Sequence, residues 1–74
     1  MTLGEYRVGR NFNPSNDPRV DELKKLIADF IDVCRHQEDP IATDEVKRLW
    51  ALACIHAEDA AMWAVKAVTK PPRA

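Results

Sequence analysis

An all-α fold is what this sequence predicts: an antiparallel two-helix hairpin with an N-terminal arm, assembled into a helical oligomer. Three observations predict it. Helical periodicity fills two long runs, Pro18 to about Gln37 and Asp44 to about Thr69. A link of a few residues joins them, which makes them antiparallel neighbours. Both runs carry more apolar surface than one hairpin can bury, and a 74-residue chain lies near the size at which a single core barely offsets chain entropy. Association between chains is the expected remedy, and a symmetric assembly creates pockets between its subunits. The chain divides into an arm over residues 1–16, a hairpin over 17–70 and a tail over 71–74.

Residues 1–16 read as an extended arm, with Gly4 and Gly9 as breaks and Asn13-Pro14-Ser15-Asn16 as a turn. Asp17-Pro18 starts the first helix: a capping carboxylate, then a proline whose missing N–H is not needed there. Val20, Leu23, Ile27, Phe30, Ile31 and Cys34 recur at three- and four-residue steps, and Leu26 and Val33 widen the stripe. Pro40 disfavours helical geometry at Asp39, so the helix stops by Glu38. Thr43 caps the second helix, with Asp44 and Glu45 in its first turn, where the helix dipole favours acids. Val46, Leu49, Ala53, Ala57, Ala60, Ala64 and Ala67 form a seam of mostly small side chains, a groove for the large residues of the first helix. Trp50, Cys54, Ala61, Val65 and Val68 lie beside it, and Lys70-Pro71-Pro72 ends the helix. Docking of the arm as a third element is the alternative way to cover the excess apolar surface.

Composition narrows the function. Cys34 and Cys54, one per helix, match no metal or redox spacing and read as buried thiols. No apolar run approaches the ~20 residues that span a bilayer, and no signal-peptide pattern opens the chain, so no membrane partner is expected. The net charge of -1 argues against a DNA or RNA polymer as partner. Two long helices without a short basic reading helix also do not suit a major groove. No cofactor, metal site or catalytic constellation is expected. The one His56–Asp59 pair falls short of a ligand set, and Glu38-Asp39 and Glu58-Asp59 read as exposed helix or turn charges.

Charge polarity supplies the positive signal. Acids gather near the turn, while Arg7, Arg10, Lys24, Lys66 and Lys70 gather where the hairpin opens. The second helix is expected to overhang the start of the first there by a turn or two. Tyr6, Phe12 and Trp63 add aromatic faces, and the positive pole of the first helix points into the same region. Cations with flat apolar faces suit a nucleotide, taking phosphate and base respectively.

Two segments carry a family resemblance. Gly9-Arg10-Asn11-Phe12-Asn13-Pro14-Ser15, running into Val20-Asp21-Glu22-Leu23-Lys24, is the first. The second is Arg48-Leu49-Trp50-Ala51-Leu52-Ala53 with Ala60-Ala61-Met62-Trp63-Ala64-Val65-Lys66-Ala67. Together they resemble the helical hairpin of phage anti-CBASS and anti-Thoeris proteins. The resemblance implies a hexamer, a trimer of dimers, that sequesters cyclic nucleotide messengers in the cytoplasm of the bacterial host without cleaving them. By position, Lys24 matches a phosphate-contacting lysine, Arg10 the arginine at the arm's end, and Arg48 an arginine of the second helix. Gly9 stands where the anti-CBASS branch usually has a base-stacking tyrosine, leaving Phe12 and Tyr6 as the rings available to stack. Cyclic dinucleotides, cyclic trinucleotides and cyclic ADP-ribose variants all stay open. The expected contacts are Arg10, Phe12 and Lys24, then Tyr6, Arg7, Asn13, Arg48 and Lys66. The competing reading is a phage-derived helical scaffold that binds no nucleotide.

Overall fold

The computed structural model describes residues 1–37 and 39–73. They form three helices: α1 (Leu3–Val8), α2 (Pro18–His36) and α3 (Asp44–Thr69). The chain is all-helical among the described residues, and α2 and α3 match the two predicted runs. The expected stop at Glu38, and its reading beside Asp39 as a turn charge, fall on a residue outside those described.

The ends of the long helices follow their caps. Asp17 Oδ1 accepts the Arg19 N–H at 2.9 Å, with Pro18 as the first helical residue. Thr43 Oγ1 accepts the Val46 N–H at 3.3 Å. The Asn13–Asn16 turn closes with a bond from the Asn16 N–H to the Asn13 carbonyl, 3.2 Å, and Asn16 takes a φ of 57°, a left-handed conformation that asparagine tolerates.

The arm is not extended, and this corrects the expectation. Thr2 and Glu5 form a capping box: Thr2 Oγ1 accepts the Glu5 N–H at 3.1 Å, and Glu5 Oε1 accepts the Thr2 N–H at 2.8 Å. Six residues are too few to hold a helix in water, so contact with α2 must sustain α1. Gly4 provides that contact. It is buried, its N–H donates to Asp32 Oδ1 at 2.8 Å, and a Cβ there would stand 2.1 Å from the Ala28 carbonyl oxygen. Gly4 is thus a close-approach residue rather than a break. Gly9 does end the helix, with φ 65°. The arm therefore docks as a third element.

The core runs between α2 and α3. Val20, Ala28, Ile31 and Cys34 are buried on one side and Cys54, Ala57 and Ala61 on the other, with Ile27, Trp50 and Ala53 packed against them. Both cysteines are free thiols. Burial, and secondarily the neighbouring Cys54, pushes the Cys34 thiol above its ordinary 9.0. The line α3 turns to α2 is Trp50, Cys54, Ala57 and Ala61, not the expected seam. Of that seam Ala57 alone is buried, while Val46, Leu49, Ala60 and Ala67 are exposed. Two adjacent stripes on α3 are both apolar by pattern, and the one that begins at Trp50 is turned to α2.

Docking of α1 covers one side only. It touches Ala28 and Asp32 of α2 and Glu58 of α3. At about 100° per residue, Leu26 and Phe30 of α2 and Leu49 and Ala60 of α3 lie on the other side of the hairpin. All four are exposed. The backbone measures 53 × 25 × 12 Å, a plate one helix thick, with a radius of gyration of 14.3 Å. A compact domain of this length has a radius near about 11 Å. The surface of 5695 Å² also exceeds the roughly 4600 Å² expected for a monomer of this mass.

Candidate functional site

The site is built around one buried cation. Lys24 faces inward from α2 and is 6% exposed. Its ammonium donates to the Gly9 carbonyl at 2.9 Å and to the Phe12 carbonyl, and lies 5.6 Å from the centre of the Phe12 ring. The backbone explains why those carbonyls are there. Gly9 in its left-handed conformation reverses the chain after α1, and the Phe12 N–H closes a tight turn onto the Gly9 carbonyl at 2.9 Å. All of these acceptors are neutral. No carboxylate lies within ion-pair distance of Lys24 among the described residues.

Two recesses open beside this ammonium. The first, about 280 Å³, is lined by Arg7, Val8, Lys24, Glu58, Ala61, Met62 and Val65. The second, about 230 Å³, is lined by Phe12, Asn13, Pro14, Ser15, Val20, Lys24, Val65 and Thr69. Lys24 and Val65 border both. The first is the more polar, with the guanidinium of Arg7 over it; the second is mostly apolar and flanked by an exposed ring. Each alone is smaller than an ordinary small-molecule pocket of 300 Å³ or more. Side by side they set a polar recess against an apolar one, with Lys24 and Val65 between.

The two arginines of the arm are already paired. Arg7 Nε and Nη2 both donate to Glu58 Oε2, at 3.0 and 2.8 Å. Arg10 Nη1 reaches Asp21 Oδ1 at 3.4 Å. The expected reading of Glu58 as an exposed helix charge is corrected by its pairing with Arg7. The pole of α2 is likewise occupied. Pro18 has no N–H, the Arg19 and Val20 N–H groups donate to Asp17, and the Asp17 carboxyl is held below its ordinary value by hydrogen bonds from the Arg19 side chain and backbone.

The structure brings Arg7, Phe12, Asn13 and Lys24 together around the two recesses, while Arg10, paired with Asp21, borders neither. Asn13 is held there by its side-chain amide, which donates to the Asp17 carbonyl at 3.0 Å. Tyr6 is exposed and borders neither recess. Lys66 also borders neither, and its ammonium lies 5.3 Å from the Trp63 ring on the outer side of α3. The expected overhang of α3 is smaller than a turn or two, since Val20 and Thr69 border the same recess. Arg48 is not near the site within one chain. It pairs with Glu45 at 2.8 Å in the opening turns of α3, about 27 Å along the helix from Lys66. Sequence reasoning missed Glu58, Met62 and Val65 as lining residues. Val65 carried a signal in its place on the apolar stripe, whereas Glu58 has no local signal because its partner is on α1.

The family described as Acb2/Tad1, hairpin domain, matches residues 5–69, from within α1 to the last residue of α3. The chain belongs to this family. It is the anti-CBASS and anti-Thoeris sponge family, a family of binding proteins. The hairpin-domain match includes all four residues that meet at the recesses. No curated protein and no solved structure matches the chain. Among the described residues no helix is long and apolar enough to cross a membrane, and no group of three or more His, Cys, Asp or Glu side chains is placed to hold a metal ion.

Proposed function

We propose that this protein captures cyclic nucleotide second messengers of bacterial CBASS and Thoeris defence and sequesters them intact. The observation that carries the reading is Lys24: a buried ammonium, held by carbonyls alone, between a polar recess and an apolar one. A buried charge without a counter-ion is unfavourable, and an entering phosphate relieves it. Two of the ammonium's three protons are directed at carbonyls, which leaves one for a ligand oxygen. The ring of Phe12 and the wall formed by Val20 and Val65 suit a nucleobase. Membership of the sponge family supports the same ligand class.

The working form is a symmetric oligomer, read here as a hexamer built as a trimer of dimers, in the cytoplasm of the bacterial host. The exposed side bearing Leu26, Phe30 and Leu49 supports association. The surface in excess of a compact monomer, roughly 1000 Å², is of the order of one partner's side of a standard interface. A second chain would also close recesses that are shallow in one. Arg48, remote from Lys24 within a chain, becomes available to the ligand only through such a partner. Nanomolar capture requires about -12 kcal/mol from a small ligand, which an enclosed, preformed site can supply.

The test is depletion and release. The protein is incubated with cyclic di-AMP, cyclic tri-AMP and cyclic ADP-ribose, then heat-denatured, and the supernatant is analysed before and after. The reading expects depletion of at least one messenger and its recovery unchanged. Linear product would make the protein a phosphodiesterase. No depletion of any messenger would favour the scaffold reading, which the exposed apolar side also supports.

A further inference from the structure

The pairing of Arg7 with Glu58 carries a consequence for how the site takes anions. Both N–H groups converge on one carboxylate oxygen, Glu58 Oε2, so the guanidinium is held by a single acceptor. The side chains are 24% and 37% exposed, and both line the recess that Lys24 floors. A carboxylate on Arg7 thus occupies the position that a phosphate oxygen would need.

We propose that Glu58 is an internal competitor for the anion: it holds Arg7 over the recess in the empty protein and is displaced when a phosphate enters. This rests on the cyclic-nucleotide reading of the Lys24 recess. Glu58 then limits affinity rather than supplying it, and its effect runs through Arg7 rather than through bulk charge. Two features support this. Glu58 is on α3 and Arg7 on α1, so the pair bridges the two walls of the recess. Asp59, the next residue, carries the same charge but is exposed and borders neither recess. A part-exposed ion pair is broken at a cost equivalent to a few-fold in affinity, about fivefold at the upper end.

The experiment titrates wild type, Glu58→Gln, Glu58→Asp, Asp59→Asn and Arg7→Gln with cyclic di-AMP, cyclic tri-AMP and cyclic ADP-ribose by calorimetry, with helix content checked by circular dichroism. Displacement predicts that Glu58→Gln binds about three- to fivefold more tightly than wild type, that Asp59→Asn changes affinity less than twofold, and that Arg7→Gln binds more weakly. Glu58→Asp, whose shorter carboxylate reaches Arg7 less well, should also bind more tightly, and it decides the matter if the glutamine variant unfolds. Weaker binding by the Glu58 variants would mean that Glu58 positions Arg7, and would overturn displacement while leaving the ligand reading intact. Equal gains in Glu58→Gln and Asp59→Asn would reduce the effect to net charge and overturn it too. If neither wild type nor any variant binds, both the inference and the ligand reading fall. Binding that appears only in Glu58→Gln would support displacement in its strongest form.

Discussion

Replacing Gly4 with alanine tests how the arm is held, and the structure sets the magnitude. The added Cβ would lie 2.1 Å from the Ala28 carbonyl oxygen and 2.9 Å from Asp32 Oδ1, where real contacts essentially never fall below 3.0 Å. The neighbours are a backbone carbonyl in mid-helix and the very carboxylate that accepts the Gly4 N–H, so α1 rather than α2 must retreat. The hydrogen bond from Gly4 to an ionised acceptor is worth about 1.5–3 kcal/mol, and overpacking costs a further 1–3 kcal/mol or so. Against this, alanine gains up to about 1 kcal/mol in helix propensity. The net expectation is about 1.5–5 kcal/mol against docking. An isolated six-residue helix has no stability of its own to resist that. Hydrogen exchange followed by NMR is the assay. Amides of residues 5–10 should lose protection in Gly4→Ala, while those in the middle of α2 and α3 keep theirs. Because Gly9 and Phe12 supply the acceptors for Lys24, ligand affinity should fall with the arm. Unchanged protection of residues 5–10 would refute the reasoning, because it would mean that the arm tolerates a Cβ at its closest approach.

Other expectations follow from the same geometry. Lys24→Ala should weaken binding of the proposed nucleotide ligand more than tenfold by calorimetry, since a hydrogen bond to a charged partner is worth about 1.5–3 kcal/mol; sedimentation should show the same mass as for wild type. Phe30→Glu places a charge on the uncovered side, and should convert the proposed oligomer to a helical 8.4 kDa monomer by sedimentation equilibrium; an unaltered mass would exclude that side from the proposed interface. Burial pushes the pKa of the Cys34 thiol up, so its contribution to stability is complete below 9.0, the value it returns to on unfolding, and is lost as pH rises toward the folded value. Urea unfolding should therefore give lower stability at pH 10 than at pH 8, and Cys34→Ala should flatten that difference.

The long helices were legible because their signals are local. Asp17-Pro18 and Thr43 fix where α2 and α3 begin, and the apolar steps from Val20 to Cys34 fix the buried side of α2. The first helix was not read, and the arm was expected to be extended: Thr2 and Glu5 do stand at capping-box spacing, but Gly4 reads as a break until Ala28 is seen against it. Rotation of α3 was not legible, because the stripe from Leu49 to Ala67 and the stripe from Trp50 to Ala61 are both apolar. The site divides the same way. Arg7, Phe12, Asn13 and Lys24 were gathered from charge polarity and family resemblance. The burial of Lys24 and the pairing of Arg7 with Glu58, 51 residues apart, depend on where the arm folds back. Arg48 rests on the family resemblance and Lys66 on charge polarity with an overhang of α3, and a single chain leaves both outside the recesses.

We propose that the anion is held by a buried lysine, Lys24, between two recesses. A crystal structure of the protein with the nucleotide it depletes tests this most directly. The account expects a phosphate oxygen within about 3 Å of Lys24 Nζ, the spacing of a charge-assisted hydrogen bond, with a base against Phe12. A nucleotide bound elsewhere, with Lys24 still bonded only to Gly9 and Phe12, would contradict it.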